Sequence, residues 1–89
     1  MSTKFIFKEN ISLKEIDGQA VLFSRKTGDF FGLNDTATIL ILDLVDSDFE
    51  STVAKSSVLF HVPAQEIRKD LTELIETLEQ NKLLVRIVG

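Results

Sequence analysis

The apolar period of this 89-residue chain turns from strand-like to helical at Leu33. A period of two suits a strand that buries one face, and a period near 3.6 suits a helix with one buried stripe. Before Leu33, Phe5 and Phe7 alternate with Lys4, Ile6 and Lys8, and Ile11 and Leu13 alternate with Ser12 and Lys14. Asp17-Gly18 follows Ile16 directly and precedes Gln19-Ala20-Val21-Leu22-Phe23. Asp-Gly between apolar runs marks a hairpin, because a type I′ turn needs positive φ at both central residues. A second turn, Arg25-Lys26-Thr27-Gly28, leads into Asp29-Phe30-Phe31-Gly32-Leu33. The reading is a three-stranded antiparallel meander, with room for an extra strand at the extreme N-terminus.

Asn34 then has the chemistry of an N-cap for a helix running to about Val45. Ala37, Leu40, Ile41, Leu44 and Val45 share one face of it, while Ile39 and Leu42 lie off that face. Asp46-Ser47-Asp48 interrupts the pattern, and Ser47 with Glu50 has capping-box spacing, Ser51 being the alternative for a later start. A second, weakly patterned helix carries Val53, Ala54, Val58, Leu59 and Phe60. Pro63 opens a third, whose stripe is Ile67, Leu71, Leu74, Ile75 and Leu78 and whose stop is Asn81 after Gln80. Leu83-Leu84-Val85-Arg86-Ile87-Val88 reads as a closing strand. The fold class is α+β, and residues 1–89 form a single domain.

Composition narrows the chemistry. With no cysteine and one histidine, thiolate zinc sites, disulfides and histidine clusters are excluded. No apolar run is long enough to span a bilayer, and Lys4 and Lys8 bracket the first apolar residues, unlike a secretion signal; a soluble cytoplasmic protein is expected. His61 at a helix end, Ser56 and Ser57 have no triad context, and the isolated glycines form no phosphate loop. The series Glu66, Asp70, Glu73, Glu76 and Glu79 lies opposite the third helix's apolar stripe, as a solvated face does. An enzyme, a metal site and a bound cofactor are therefore not expected. Helix–turn–helix followed by a strand raises a winged-helix DNA-binding regulator as an alternative. Against it, residues 63–80 hold five acids and two bases, and the whole chain is at −4, which a phosphate backbone repels.

The informative segment is Gly28-Asp29-Phe30-Phe31-Gly32-Leu33-Asn34. Adjacent residues of a strand point to opposite faces, so only one of Phe30 and Phe31 enters the core. If Leu33 anchors the strand inward, Phe31 shares its face and Phe30 lies outside. Gly32 marks a close approach, and the strand reads as a sheet edge open to another backbone.

These residues together resemble the PqqD-like family, the precursor-peptide recognition domains of ribosomal peptide natural-product pathways. The resemblance runs through Asp17-Gly18-Gln19-Ala20-Val21-Leu22-Phe23 and Thr27-Gly28-Asp29-Phe30-Phe31-Gly32-Leu33-Asn34-Asp35-Thr36, then Leu44 and Asp46. It continues with Phe60-His61-Val62-Pro63, Ile67, Asp70, Leu71, Leu74, Leu78 and Leu83-Leu84. Ala37 and Ile41 stand where the family often carries Gly and Trp, and Asp46-Ser47 where it often has Asp-Gly; these changes touch packing. The resemblance implies a winged-helix-like arrangement of three strands then three helices, and a non-catalytic binding module. It implies that the leader of a precursor peptide adds as a strand to the third strand and packs against the third helix. The module then presents it to a leader peptidase, a cyclase or a radical SAM protein, in a lasso-peptide, radical SAM or quinone-cofactor pathway. Carried onto this chain, the peptide-binding residues are Asp29, Phe30, Phe31, Gly32 and Leu33 on the strand and Ile67, Arg68, Leu71, Thr72 and Ile75 on the helix, with Arg68 and Lys69 offered to acidic leader residues.

A small homodimeric interaction domain without a peptide ligand is the alternative from another class. Ile39, Leu42 and the two apolar termini are surfaces for a second copy or for a modifying enzyme, and a weak homodimer is expected; the ends, Lys4-Phe5-Ile6-Phe7 and Leu83 to Val88, are open to pairing with each other or with a second copy.

Overall fold

Asp17 and Gly18 both take positive φ, 53° and 80°, as a type I′ turn requires. They join β2 (Ile11–Ile16) to β3 (Gln19–Ser24), with Ile16 opposite Gln19 and Leu13 opposite Leu22. In this computed structural model, which describes residues 3–88, β3 also pairs antiparallel with β4 (Phe30–Leu33), giving the sheet order β2-β3-β4. Three helices follow: α1 (Asp35–Asp46), α2 (Phe49–Phe60) and α3 (Ala64–Gln80). The α+β meander-then-helices order is thus the one the change of period at Leu33 implies.

The terminal segments pair with each other. Strand β1 (Thr3–Phe7) lies antiparallel to β5 (Leu84–Val88), from Thr3 opposite Val88 to Phe7 opposite Leu84. The bond from Lys8 N–H to Leu83 O, 3.2 Å, extends the ladder by one step. This second, two-stranded sheet buries Phe5 and Leu84, so each terminal strand keeps one open edge rather than two.

The core lies between the helices and the inner faces of both sheets. Leu22, Leu33, Ile41, Leu44, Leu71 and Leu78 are fully enclosed, with Phe5, Leu40, Val53, Ile67, Ile75 and Leu84 around them. A buried aliphatic side chain of this kind contributes about 1.5–3 kcal/mol. The stripes of α1 and α3 are those their periodicity assigns. Ile39 and Leu42 are each 41% exposed, off α1's buried face.

Helix α2 departs from its sequence reading. Val58 and Leu59 point outward, 75% and 59% exposed, and Ala54 is exposed too. Its inward stripe is Thr52, Val53 and Ser56, flanked by Phe49 and Phe60. Two small hydroxyl residues at i and i+4 fill the helical face between the phenylalanines, and a search for aliphatic residues alone passes over them. Its cap also differs: Asp48 accepts from Ser51 N–H at 2.7 Å, while Ser47 belongs to α1, donating N–H and hydroxyl to Asp43 O at 2.9 and 2.8 Å.

Two helix ends use left-handed residues that are not glycine. At α2, His61 has φ 55°, and Val62 N–H reaches back to Ser57 O. At α3, Asn81 caps the helix and Lys82 takes φ 61°, with Leu83 N–H bonded to Leu78 O and Lys82 N–H to Glu79 O. Both are Schellman closures, in which the left-handed position is ordinarily glycine.

Candidate functional site

Ser24 organises the approach to β4. It is 7% exposed, and its N–H donates to Asp29 O at 2.9 Å while its carbonyl accepts from Gly28 N–H at 2.7 Å. Its hydroxyl accepts from Thr27 N–H and Asn10 Nδ2, at 3.3 and 3.1 Å. Gly28, at φ 80°, closes the turn in a conformation other residues rarely hold.

That bonding fixes which way β4 presents its backbone. In an antiparallel ladder each residue turns both its N–H and its C=O to one side, and successive residues alternate. Since Asp29 O faces Ser24, Phe31 and Leu33 also face β3, opposite Leu22 and Ala20. Phe30 and Gly32 then turn their N–H and C=O groups to the other side. No strand pairs there among the described residues, because β4 ends the sheet. Unpaired groups at a short sheet edge are a template for another strand.

Side chains follow the complementary parity. Phe31 is half-buried and packed on the core, and Leu33 is 2% exposed. Phe30 is 58% exposed on the outer face, where its ring meets Phe23 with centroids 4.7 Å apart. Lys14 Nζ caps Phe23 from the other side, 5.1 Å from the ring centre. Gly32 opens the same outer face, since a Cβ there would come within 3.0 Å of Gln19 Nε2.

A hollow of about 510 Å³ adjoins the start of β4. Its apolar wall is Ile11, Phe30, Phe31 and Leu83, and Lys8, Lys26, Asp29, Asn81 and Lys82 supply its polar lining. The helical layer reaches this hollow only through the turn after α3, Asn81 to Leu83; among the described residues α3 itself lends it no side chain. Of the helix residues singled out by resemblance, Ile67, Leu71 and Ile75 are 3%, 0% and 2% exposed and belong to the core. Thr72 and Ile75 line a separate hollow of about 290 Å³ with Thr3, Phe5, Phe49 and Arg86.

Arg68 lies on the seam between α2 and α3. It makes a two-pronged contact with Glu50, 2.6 and 3.0 Å, and its guanidinium stands 5.7 Å from the Phe49 ring centre. The shared hydrogen bonds hold the Glu50 carboxyl below, and the Arg68 guanidinium above, their ordinary values. The structure therefore divides the sequence-derived set: Asp29, Phe30 and Phe31 face one hollow, Thr72 and Ile75 another, and Arg68 is engaged with Glu50.

Sequence reasoning missed Lys8, Asn10, Ser24, Lys26, Asn81 and Lys82. They come from three connections far apart in the chain, each of which reads in sequence as an ordinary polar turn. Only Asn81-Lys82, a helix stop without the usual glycine, carries a local signal. Among the described residues no group of histidines and carboxylates is arranged to hold a metal, and no helix is long and apolar enough to cross a membrane.

Among curated proteins no relative matches this sequence. Two solved structures share the fold. One, described as lasso peptide synthetase B1 complexed with the leader peptide, has a TM-score of 0.87 at 23% identity over 92% of this chain and 98% of that one. The other, TbiB1 in complex with the TbiA(beta) leader peptide, has a TM-score of 0.76 at 24% identity, covering 94% of each chain. A family profile described as coenzyme PQQ synthesis protein D matches residues 19–84, from the first residue of β3 to the first of β5. That span holds β3, β4 with its open edge and all three helices, about three quarters of the sequence, and the chain belongs to the PqqD family.

Proposed function

We propose that this protein binds the leader segment of a ribosomally made precursor peptide as an added strand on β4, and presents it to a modifying enzyme without itself catalysing a reaction. The observation that carries this reading is the unpaired edge at Phe30 and Gly32, with an apolar-walled hollow beside it. Four backbone groups give at most about 0.5–1.5 kcal/mol net per hydrogen bond, less than association and ordering cost. Apolar side chains of the peptide must add to them, and the wall formed by Ile11, Phe31 and Leu83 receives them. The two leader-peptide complexes of the same fold support the ligand class. The lasso-synthetase context of the first favours a leader peptidase or cyclase as the enzyme served, and family membership keeps a quinone-cofactor pathway beside it.

The test is an NMR titration of the whole chain with the precursor leader encoded beside its gene. New hydrogen-exchange protection at the Phe30 and Gly32 amides, with shifts along β4 and at Asn81–Leu83, is the expected result. Shifts confined to α2, or spread evenly over the chain, overturn it.

A further inference from the structure

We propose that the peptide segment passing the hollow beside β4 is acidic as well as apolar, and that Lys8, Lys26 and Lys82 select it. This rests on the strand-addition reading and adds the chemistry of the ligand to it.

The three lysines reach one hollow from three separate connections: the end of β1, the β3–β4 turn and the α3–β5 turn. The chain's net charge is −4, yet among the described residues Asp29 is the single carboxylate lining this hollow. The ion pairs among the described residues occupy Lys55, Arg68 and Arg86. Lys8, Lys26 and Lys82 have no carboxylate within ion-pair distance there. An acidic protein that gathers unpaired ammonium groups around one cleft focuses a positive potential on it.

The backbone at Lys82 argues the same way. Its left-handed φ of 61° occupies the Schellman position where glycine carries no penalty. A lysine there costs stability that glycine would spare, and its side chain lines the hollow. His61 holds the same conformation away from this hollow, so the strain at Lys82 supports the proposal through the side chain's place in the lining.

The apolar wall sets the pattern of the ligand. In a strand laid on β4, residues two apart share a face. One apolar side chain enters against Phe31, Ile11 and Leu83, and Asp or Glu residues two positions to either side meet the lysine ammonium groups at the rim.

The experiment selects binders from a display library of random peptides, using the full chain as bait, and synthesises the most enriched sequence. Its affinity is measured for the wild type, for Lys8→Gln/Lys26→Gln/Lys82→Gln, and for a charge-matched control, Lys4→Gln/Lys55→Gln/Arg86→Gln, each shown folded by its amide spectrum. The expected result is acidic residues flanking an apolar one in the enriched peptides. Affinity should drop about tenfold or more in the first variant only, with the salt dependence of binding flattened alongside. Neutral enriched peptides, or equal affinity across the three proteins, overturn the acid selectivity while protection at Phe30 and Gly32 leaves strand addition standing. If no enriched peptide protects those two amides, strand addition itself has failed and the selectivity falls with it.

Discussion

The ring of Phe30 rests against that of Phe23 across the outer face of the sheet, centroids 4.7 Å apart and planes inclined by 41°. Its neighbour Phe31 lies opposite Leu22 on the inner face. The paired phenylalanines therefore do different work, and truncating each has a different cost. Phe31→Ala removes a half-buried aromatic from the core side, and a loss of about 2–3 kcal/mol is expected, below the full cost of an enclosed ring. Phe30→Ala removes an exposed ring and one aromatic pair, about 1 kcal/mol. Chemical denaturation of both variants checks the order, and equal losses would contradict the assignment of faces.

Thr52 is enclosed, and its Oγ1 has no hydrogen-bond partner among the described residues. An unpartnered buried hydroxyl carries its desolvation cost with no return. Thr52→Val keeps the shape and removes that cost, so a gain of about 1 kcal/mol is expected. Thermal melting reads it directly, and a loss of stability would mean that the hydroxyl is bonded in solution.

His61 and Lys82 hold the left-handed positions that close α2 and α3. His61→Gly and Lys82→Gly should each stabilise the fold by about 0.5–1 kcal/mol, since glycine accepts that conformation without a side-chain penalty. Lys82→Gly should at the same time weaken peptide binding, separating stability from function at one residue. Melting curves and calorimetric titration of the two variants check both halves.

Asp48 caps α2, and the hydrogen bond from Ser51 N–H holds its carboxyl below the usual carboxylate range. A carboxyl depressed by folding stabilises the protein above its unfolded pKa, and that contribution disappears as pH falls through the folded value. Part of the acid unfolding of this protein should therefore trace to Asp48. Asp48→Asn keeps a capping oxygen and should lose stability less steeply below the carboxylate range than the wild type. Melting temperatures recorded from neutral to acidic pH decide it, and parallel curves would refute the role.

Arg68 and Glu50 tie α3 to α2 through two hydrogen bonds, and each holds the other's charge. Arg68→Glu places two carboxylates together and should lower the melting temperature, more so at low salt. Adding Glu50→Arg should recover much of the loss. If the single variant melts like the wild type, the pair contributes nothing measurable, as many exposed pairs do.

The order of elements was written in local pattern. The change of period at Leu33, Asp17-Gly18 at positive φ, the Asn34 cap and the stripes of α1 and α3 are properties of neighbouring residues, and the backbone answers to neighbours first. Even the opposite fates of Phe30 and Phe31 follow from strand parity. What the tertiary structure decided was which distant segments meet. Thr52 and Ser56 look solvent-facing in sequence and become core, because small side chains complete the stripe between Phe49 and Phe60. The pairing of β1 with β5 chooses between the two partners that local pattern leaves open to the apolar ends, each other or a second copy. The hollow beside β4 is built by three turns separated by most of the chain, so its lysines have no signature in spacing. Arg68 looked free for a ligand and is held by Glu50, a partner that only the packing of α3 on α2 brings within 2.6 Å. Local rules act over a few residues, whereas convergence of side chains depends on how whole elements pack, and that is settled by the fold as a unit.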